Sequence, residues 1–146
     1  MIGTRGELSG PAAYRVMEGV GATPEEFMKM ALDAARSLLL RAEARIVAGD
    51  RVGKAQALSS ASNVVEFMLG LSGVSQGELS KCLASVYEYV LAAIAKGNAG
   101  DDAEAVAAGR VALEELSATW RKIFPDALAW DAGDSAPGID RSADHA

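Results

Sequence analysis

From Thr23 onward the apolar positions of the chain recur at helical spacing, and capping residues divide them into four runs. Thr23-Pro24-Glu25-Glu26 offers a hydroxyl for the N-cap, a proline for N1 and a glutamate for N3, which together make a capping box. The first helix then runs to about Ala48, where Gly49 supplies a left-handed stop. A second follows Asp50 and ends near Leu71, before Ser72-Gly73-Val74-Ser75. Ser75-Gln76-Gly77-Glu78 reads as another capping box and opens a third helix, which stops near Gly97. Asp101 with Glu104 opens a fourth, bounded near Phe124 by Pro125. Four helices of about 20 residues joined by short connections predict an all-α fold, an antiparallel up-down four-helix bundle. The helices should begin within about two residues of Pro24 and Gln76, and no strand is expected in 24–124.

The flanks differ from this body. Residues 1–22 are glycine-rich without a sustained period and are expected to form a mobile N-terminal arm, while residues 23–124 make the helical-bundle domain. Residues 125–146 are acidic and rich in Gly, Ala and Ser, the composition of a disordered tail.

The faces of the predicted helices are broader than a bundle requires. The fourth carries one seam, Val106, Gly109, Leu113, Leu116, Trp120 and Ile123, spaced like a coiled coil. The third has Leu79, Leu83, Val86, Val90 and Ile94 as its central stripe. Tyr87 lies about 60° to one side of that stripe and Tyr89 about 100° to the other, so the two cannot share a face. Tyr87 with Leu91 widens one flank, and Tyr89 with Cys82 and Ala93 widens the other. In the first helix Phe27, Ala31, Ala34 and Leu38 form one stripe, with Met28, Leu32, Leu39 and Ile46 beside it. The surplus is either a wide core or a set of grooves for another chain's helix, and composition does not choose between them.

Charge and chemistry narrow the function. The net charge is −6, and residues 125–146 account for −4 of it with five aspartates and one arginine. The remaining body carries 15 acidic and 13 basic residues and no basic stripe, which argues against nucleic acid. The single cysteine, Cys82, excludes an internal disulfide and suits a reducing compartment, and on a core-facing helix it reads as a small buried hydrophobe. No signal peptide is expected, since Met1 to Gly10 holds no apolar stretch of the kind one needs, and no apolar run approaches the roughly 20 residues needed to span a bilayer. The one histidine, His145, lies in the tail, so His-dependent metal sites, phosphotransfer and triads have no basis. Gly19-Val20-Gly21-Ala22 lacks the strand that a phosphate loop needs. Asp33 is expected to be solvated or paired with Arg36. No catalytic group, metal or cofactor is expected.

Several motifs, in order, resemble one family. Gln76 to Val90, "QGELSKCLASVYEYV", is similar to the "GGEIA..L..LYDYM" hallmark of the FliS family of flagellar secretion chaperones. Ala13-Tyr14 resembles that family's N-terminal Ala-Tyr, "ATPEEF" at 22–27 its "AsPeeL", and "ALDAA" at 31–35 its "LYDGA". Gly49-Asp50, "KAQALSSASNVV" at 54–65, Gly97-Asn98 with Asp102, and "LEELSATW" at 113–120 follow at the family's spacing. The resemblance covers about Pro11 to Phe124. The chain departs from the family at Leu32 (tyrosine there), Glu88 (aspartate), Gly97 (alanine) and Ser117 (arginine).

The resemblance implies a cytoplasmic export chaperone that wraps the disordered C-terminal segment of flagellin, blocks premature polymerisation and delivers it to a component of the flagellar export gate. A client that folds on binding must bury much area to offset its ordering, which suits wide apolar helix faces. Candidate partner-binding residues are Tyr14, Val16 and Met17 in the arm, Met28, Leu32 and Leu39 in the first helix, and Tyr87, Tyr89 and Leu91 in the third. One tyrosine of the third helix would complete the core and the other would line a groove. The arm would cover a groove until the client arrives. The alternative is a non-catalytic helical adaptor or structural bundle that self-associates weakly through the same faces. Neither alternative involves nucleic acid or stable membrane insertion.

Overall fold

The structure, a computed structural model, describes residues 23–72 and 77–125. These form four helices, α1 (Pro24–Ala48), α2 (Arg51–Ser72), α3 (Glu78–Gly100) and α4 (Ala103–Ile123), with no strand among the described residues. The arm and tail expected at the two ends, together with Ser75 and Gln76, lie outside the described residues.

Local signals set most of the boundaries. Thr23 Oγ1 accepts from the Glu26 amide at 3.1 Å, and Glu26 Oε1 accepts from the Thr23 amide at 3.2 Å, so the expected capping box closes in full. Gly49 ends α1 at φ 76°, a left-handed conformation that glycine takes without strain. Asp50 Oδ1 accepts from the Gly53 amide at 2.8 Å and caps α2.

α3 starts within two residues of Gln76 as expected, but two expected caps are corrected. α3 begins at Glu78 with Gly77 as its N-cap and without a side-chain cap bond, so Glu78 sits at N1 and not at the N3 position of a capping box. In α4 the N-cap is Asp102, whose carboxylate accepts from the Ala105 amide at 3.1 Å, and not Asp101. Asp101 instead closes α3 in a left-handed turn at φ 49°. α3 thus runs to Gly100, past the stop expected at Gly97, because Gly97 serves close packing. A Cβ there would lie 2.3 Å from Val106 Cγ2 of α4.

Each helix packs on two neighbours in the ring α1–α2–α3–α4–α1. The described core runs along the ring's axis. α1 contributes Met28, Leu32, Ala35, Leu39 and Ala42, α3 contributes Leu83, Tyr87, Val90 and Ile94, and α4 contributes Val106, Leu113 and Trp120. The centre of the α1 stripe is therefore rotated from the expected one: Ala34 is exposed, and Phe27 and Leu38 are only partly buried. The α3 stripe is rotated toward Tyr87, which leaves Leu79 41% exposed and Cys82 exposed, so Cys82 is not the buried hydrophobe expected of it. Ile123, expected in the α4 seam, is 44% exposed. Asp33 pairs with Lys29 at 2.6 Å and not with Arg36. At the other end of the bundle, buried Lys54 of α2 donates to the Asn98 carbonyl at 3.1 Å and to the Asp101 carboxylate, which ties α2 to the end of α3.

Candidate functional site

The two flanks of α4 present different chemistry. Toward α1, Arg110 donates through Nη2 to Glu43 Oε1 at 3.1 Å and through Nε to the second oxygen of that carboxylate. Its Nη1 donates to Glu114 Oε2 at 3.0 Å, and Arg36 Nη1 lies 3.9 Å from the same oxygen. The hydrogen bond to Glu43, with Glu114 adding to it, raises the Arg110 pKa further above its already high ordinary value. Trp120 Nε1 donates to the Glu25 carbonyl at 3.2 Å and joins the same two helices lower down.

Toward α3 the flank carries no charge. Gly109 lets the helices approach closely, since a Cβ there would meet Ala93 Cβ at 3.2 Å and Val90 Cγ1 at 3.6 Å. On α3, Leu79, Cys82, Val86 and Tyr89 all fall within about 40° of Ala93 around the helix axis. On α4, Ala105, Ala112, Leu116 and Ile123 fall within about 60° of Gly109. Leu79, Cys82, Tyr89 (53%) and Ile123 are exposed, and Val86, Ala112 and Leu116 are partly buried against the core. The result is a shallow apolar face, small-residued along its floor and larger at its rim, with the Tyr89 side chain standing out of it. It can accept an apolar helix stripe, with exposed Glu78 and Lys96 at the two ends of its α3 edge, about 60° from Ala93.

The candidate residues separate accordingly. Tyr14, Val16 and Met17 lie outside the described residues. Met28, Leu32, Leu39 and Tyr87 are core residues, and Leu91 is partly buried against them. Tyr87 and Met28 meet across the bundle, with the hydroxyl donating to the thioether Sδ at 3.1 Å, and burial pushes the Tyr87 hydroxyl well above its ordinary pKa. Of the pair in α3, Tyr87 is fully buried and Tyr89 is exposed.

Sequence reasoning missed Leu79, Cys82, Val86 and Ile123 as members of an open face. The available signal was the run 79, 82, 86, 89, 93, a second heptad-like stripe on α3 beside the one that forms the core.

No group of three or more metal-ligating side chains occurs among the described residues, and no described helix is long and apolar enough to cross a membrane. The family model for flagellar protein FliS matches residues 10–127. A flagellar secretion chaperone FliS of Salmonella typhimurium is 32% identical over 110 residues, covering 74% of this chain and 82% of the relative. A flagellar secretion chaperone FliS of Escherichia coli is 25% identical over 105 residues, covering 70% of this chain and 77% of the relative.

Proposed function

Because this chain belongs to the FliS family of flagellar proteins, we propose that it is a cytoplasmic chaperone of flagellar export whose client is the disordered C-terminal segment of flagellin. The apolar face between α3 and α4 carries this reading. An amphipathic client segment that turns helical on this face buries its apolar stripe against Val86, Leu116 and the Ala/Gly floor, and Leu79, Tyr89 and Ile123 close over its edges. The area so buried offsets the cost of ordering the client, and the client's polymerisation surface is occupied until release. Beneath the face, Tyr87, Met28, Leu32 and Leu39 hold the helices at the spacing that keeps it open. Tyr14, Val16 and Met17 of the N-terminal segment contribute by covering the client surface of the free chaperone, and delivery is to a component of the export gate.

The test is calorimetric titration of the flagellin C-terminal segment into the full chain. Tyr89→Glu should weaken binding about tenfold or more, because it sets a charge in place of an aromatic contact at the edge of an apolar interface. Val111→Glu, an exposed substitution elsewhere on α4, should bind like the parent. Equal affinities for the parent and Tyr89→Glu would remove the α3/α4 face from client binding. Absence of any binding heat, with concentration-dependent self-association instead, would favour the adaptor bundle.

A further inference from the structure

A second surface lies between α1 and α2 and is independent of the apolar face. It is a cleft of about 590 Å³ with Leu38 and Ala57 at its floor and Arg41, Arg45, Gln56 and Ser60 on its walls. Asp50 caps α2 with one carboxylate oxygen, and its other oxygen lies 3.8 Å from Arg45 Nη1, which holds Arg45 at the rim. Arg41, one turn earlier, makes no ion pair or side-chain hydrogen bond among the described residues, and neither do Gln56 and Ser60. The cleft thus offers two guanidinium groups, an amide and a hydroxyl as donors, with Asp50 as the one acid on its lining. Carboxylates spaced along an extended peptide suit such a site, since each Arg can bind one bidentately.

We propose that this cleft docks the chain's own acidic C-terminal segment, residues 134–144. Charge complementarity and reach single it out. Residues 126–146 hold five aspartates and one arginine. The segment leaves from the end of α4, which lies beside the start of α1 because Trp120 bonds to Glu25. From there to the level of Arg41 is about 16 residues of α1, or ~24 Å at 1.5 Å per residue, plus a crossing of one helix diameter of about 10 Å. An extended chain at about 3.3–3.6 Å per residue needs roughly ten residues for that path, so Trp130 and Asp131 fall short while Asp134, Asp140 and Asp144 arrive. Tethering supplies an effective concentration in the millimolar range, enough to populate a contact that a free acidic peptide would barely make. The docked segment would seal the α1/α2 side of the bundle and leave the apolar α3/α4 face open.

The experiment uses the full chain with Cys82→Ser and Ala34→Cys, carrying a nitroxide at residue 34, one turn from Leu38. The amide signals of residues 134–144 should lose most of their intensity at low salt. They should recover at about 1 M salt, where the screening length is only about 3 Å. They should also recover in the Arg41→Glu, Arg45→Glu variant, with unchanged helical circular dichroism. Arg41→Gln alone should restore part of the signal and guards against misfolding of the double variant. Undiminished signals at low salt would overturn the proposal, and so would loss that persists in the arginine variants. Loss seen when label and isotope are on separate chains would also overturn it, by placing the contact between copies.

Discussion

α4 faces α1 with charge and α3 without it. Along the first seam Arg110 bridges Glu43 and Glu114, with Arg36 close by, and these pairs fix the register of the two helices. A foreign apolar helix laid on that seam would have to strip water from four charged groups, at a cost of several kcal/mol per ion once buried. Along the second seam Gly97, Gly109 and Ala93 give register through shape alone, and the outer rim stays apolar. A bundle can therefore close one side of a helix to helical partners and leave the other open without changing its backbone plan. The placement of charge decides which side is available.

The largest effect should fall where the two seams meet. Trp120 is 6% exposed, packs on Phe124 at 4.7 Å between ring centroids and reaches α1 through its indole N–H. Trp120→Ala should cost about 3–5 kcal/mol in denaturant unfolding. A midpoint near that of the parent would show that the two seams do not share this anchor.

The shape-based seam comes next. In Gly97→Ala the new methyl would be 2.3 Å from Val106 Cγ2 and 3.2 Å from the Asp102 carbonyl oxygen, so Val106 must leave its rotamer or α3 and α4 must move apart. We expect a loss of about 1–3 kcal/mol that is insensitive to salt. An unchanged or raised midpoint would mean that close approach does not set this seam.

The charged seam should respond more weakly and in the opposite manner to salt. Arg110→Met leaves Glu43, which is 17% exposed, without its guanidinium, while Glu114 keeps Arg36. The expected cost is about 1 kcal/mol, shrinking as salt rises. If the cost equals that of Gly97→Ala at every salt concentration, the contrast between the flanks fails.

The smallest effect sits outside both seams. The hydrogen bond from Lys54, helped by the charges of Lys54 and Arg51, holds the Asp101 carboxyl below the usual carboxylate range. Its folded pKa lies below its unfolded one, so the stabilisation is complete above the ordinary carboxylate pKa and is lost as pH falls through the lowered folded value. Midpoints measured down the acid limb should fall less steeply for Lys54→Met than for the parent. Parallel limbs would show that this pair does not contribute.

The start of α1 was legible to the residue, because Thr23, Pro24 and Glu26 act within one turn and need no tertiary partner. The ends of α3 were less so. Gly77 caps through its backbone alone, and the adjacent Asp101 and Asp102 take different roles because Lys54, far away in sequence, holds the first of them in a left-handed turn. The open face was half legible. A helix in a ring of four touches two neighbours, so its apolar arc is wide, and periodicity does not mark the arc's centre. The close α3–α4 approach at Gly97 and Gly109 turns Tyr87 toward Met28 in the core and leaves Leu79 and Cys82 outside it, an orientation that depends on the partner helices.

The closure of the ring between α1 and α4 has a consequence for the chain during its synthesis. α1 leaves the ribosome before the other described helices, and the side that packs on α4 waits for that helix until roughly 75 more residues are made, about 4–15 s at ordinary elongation rates. α2 can cover its neighbouring side of α1 early, but Leu32 and Leu39 lie on a core that α4 completes. The nascent protein therefore passes through a period in which α4 is not yet there to complete its core. That helix acts as the latch that ends the period.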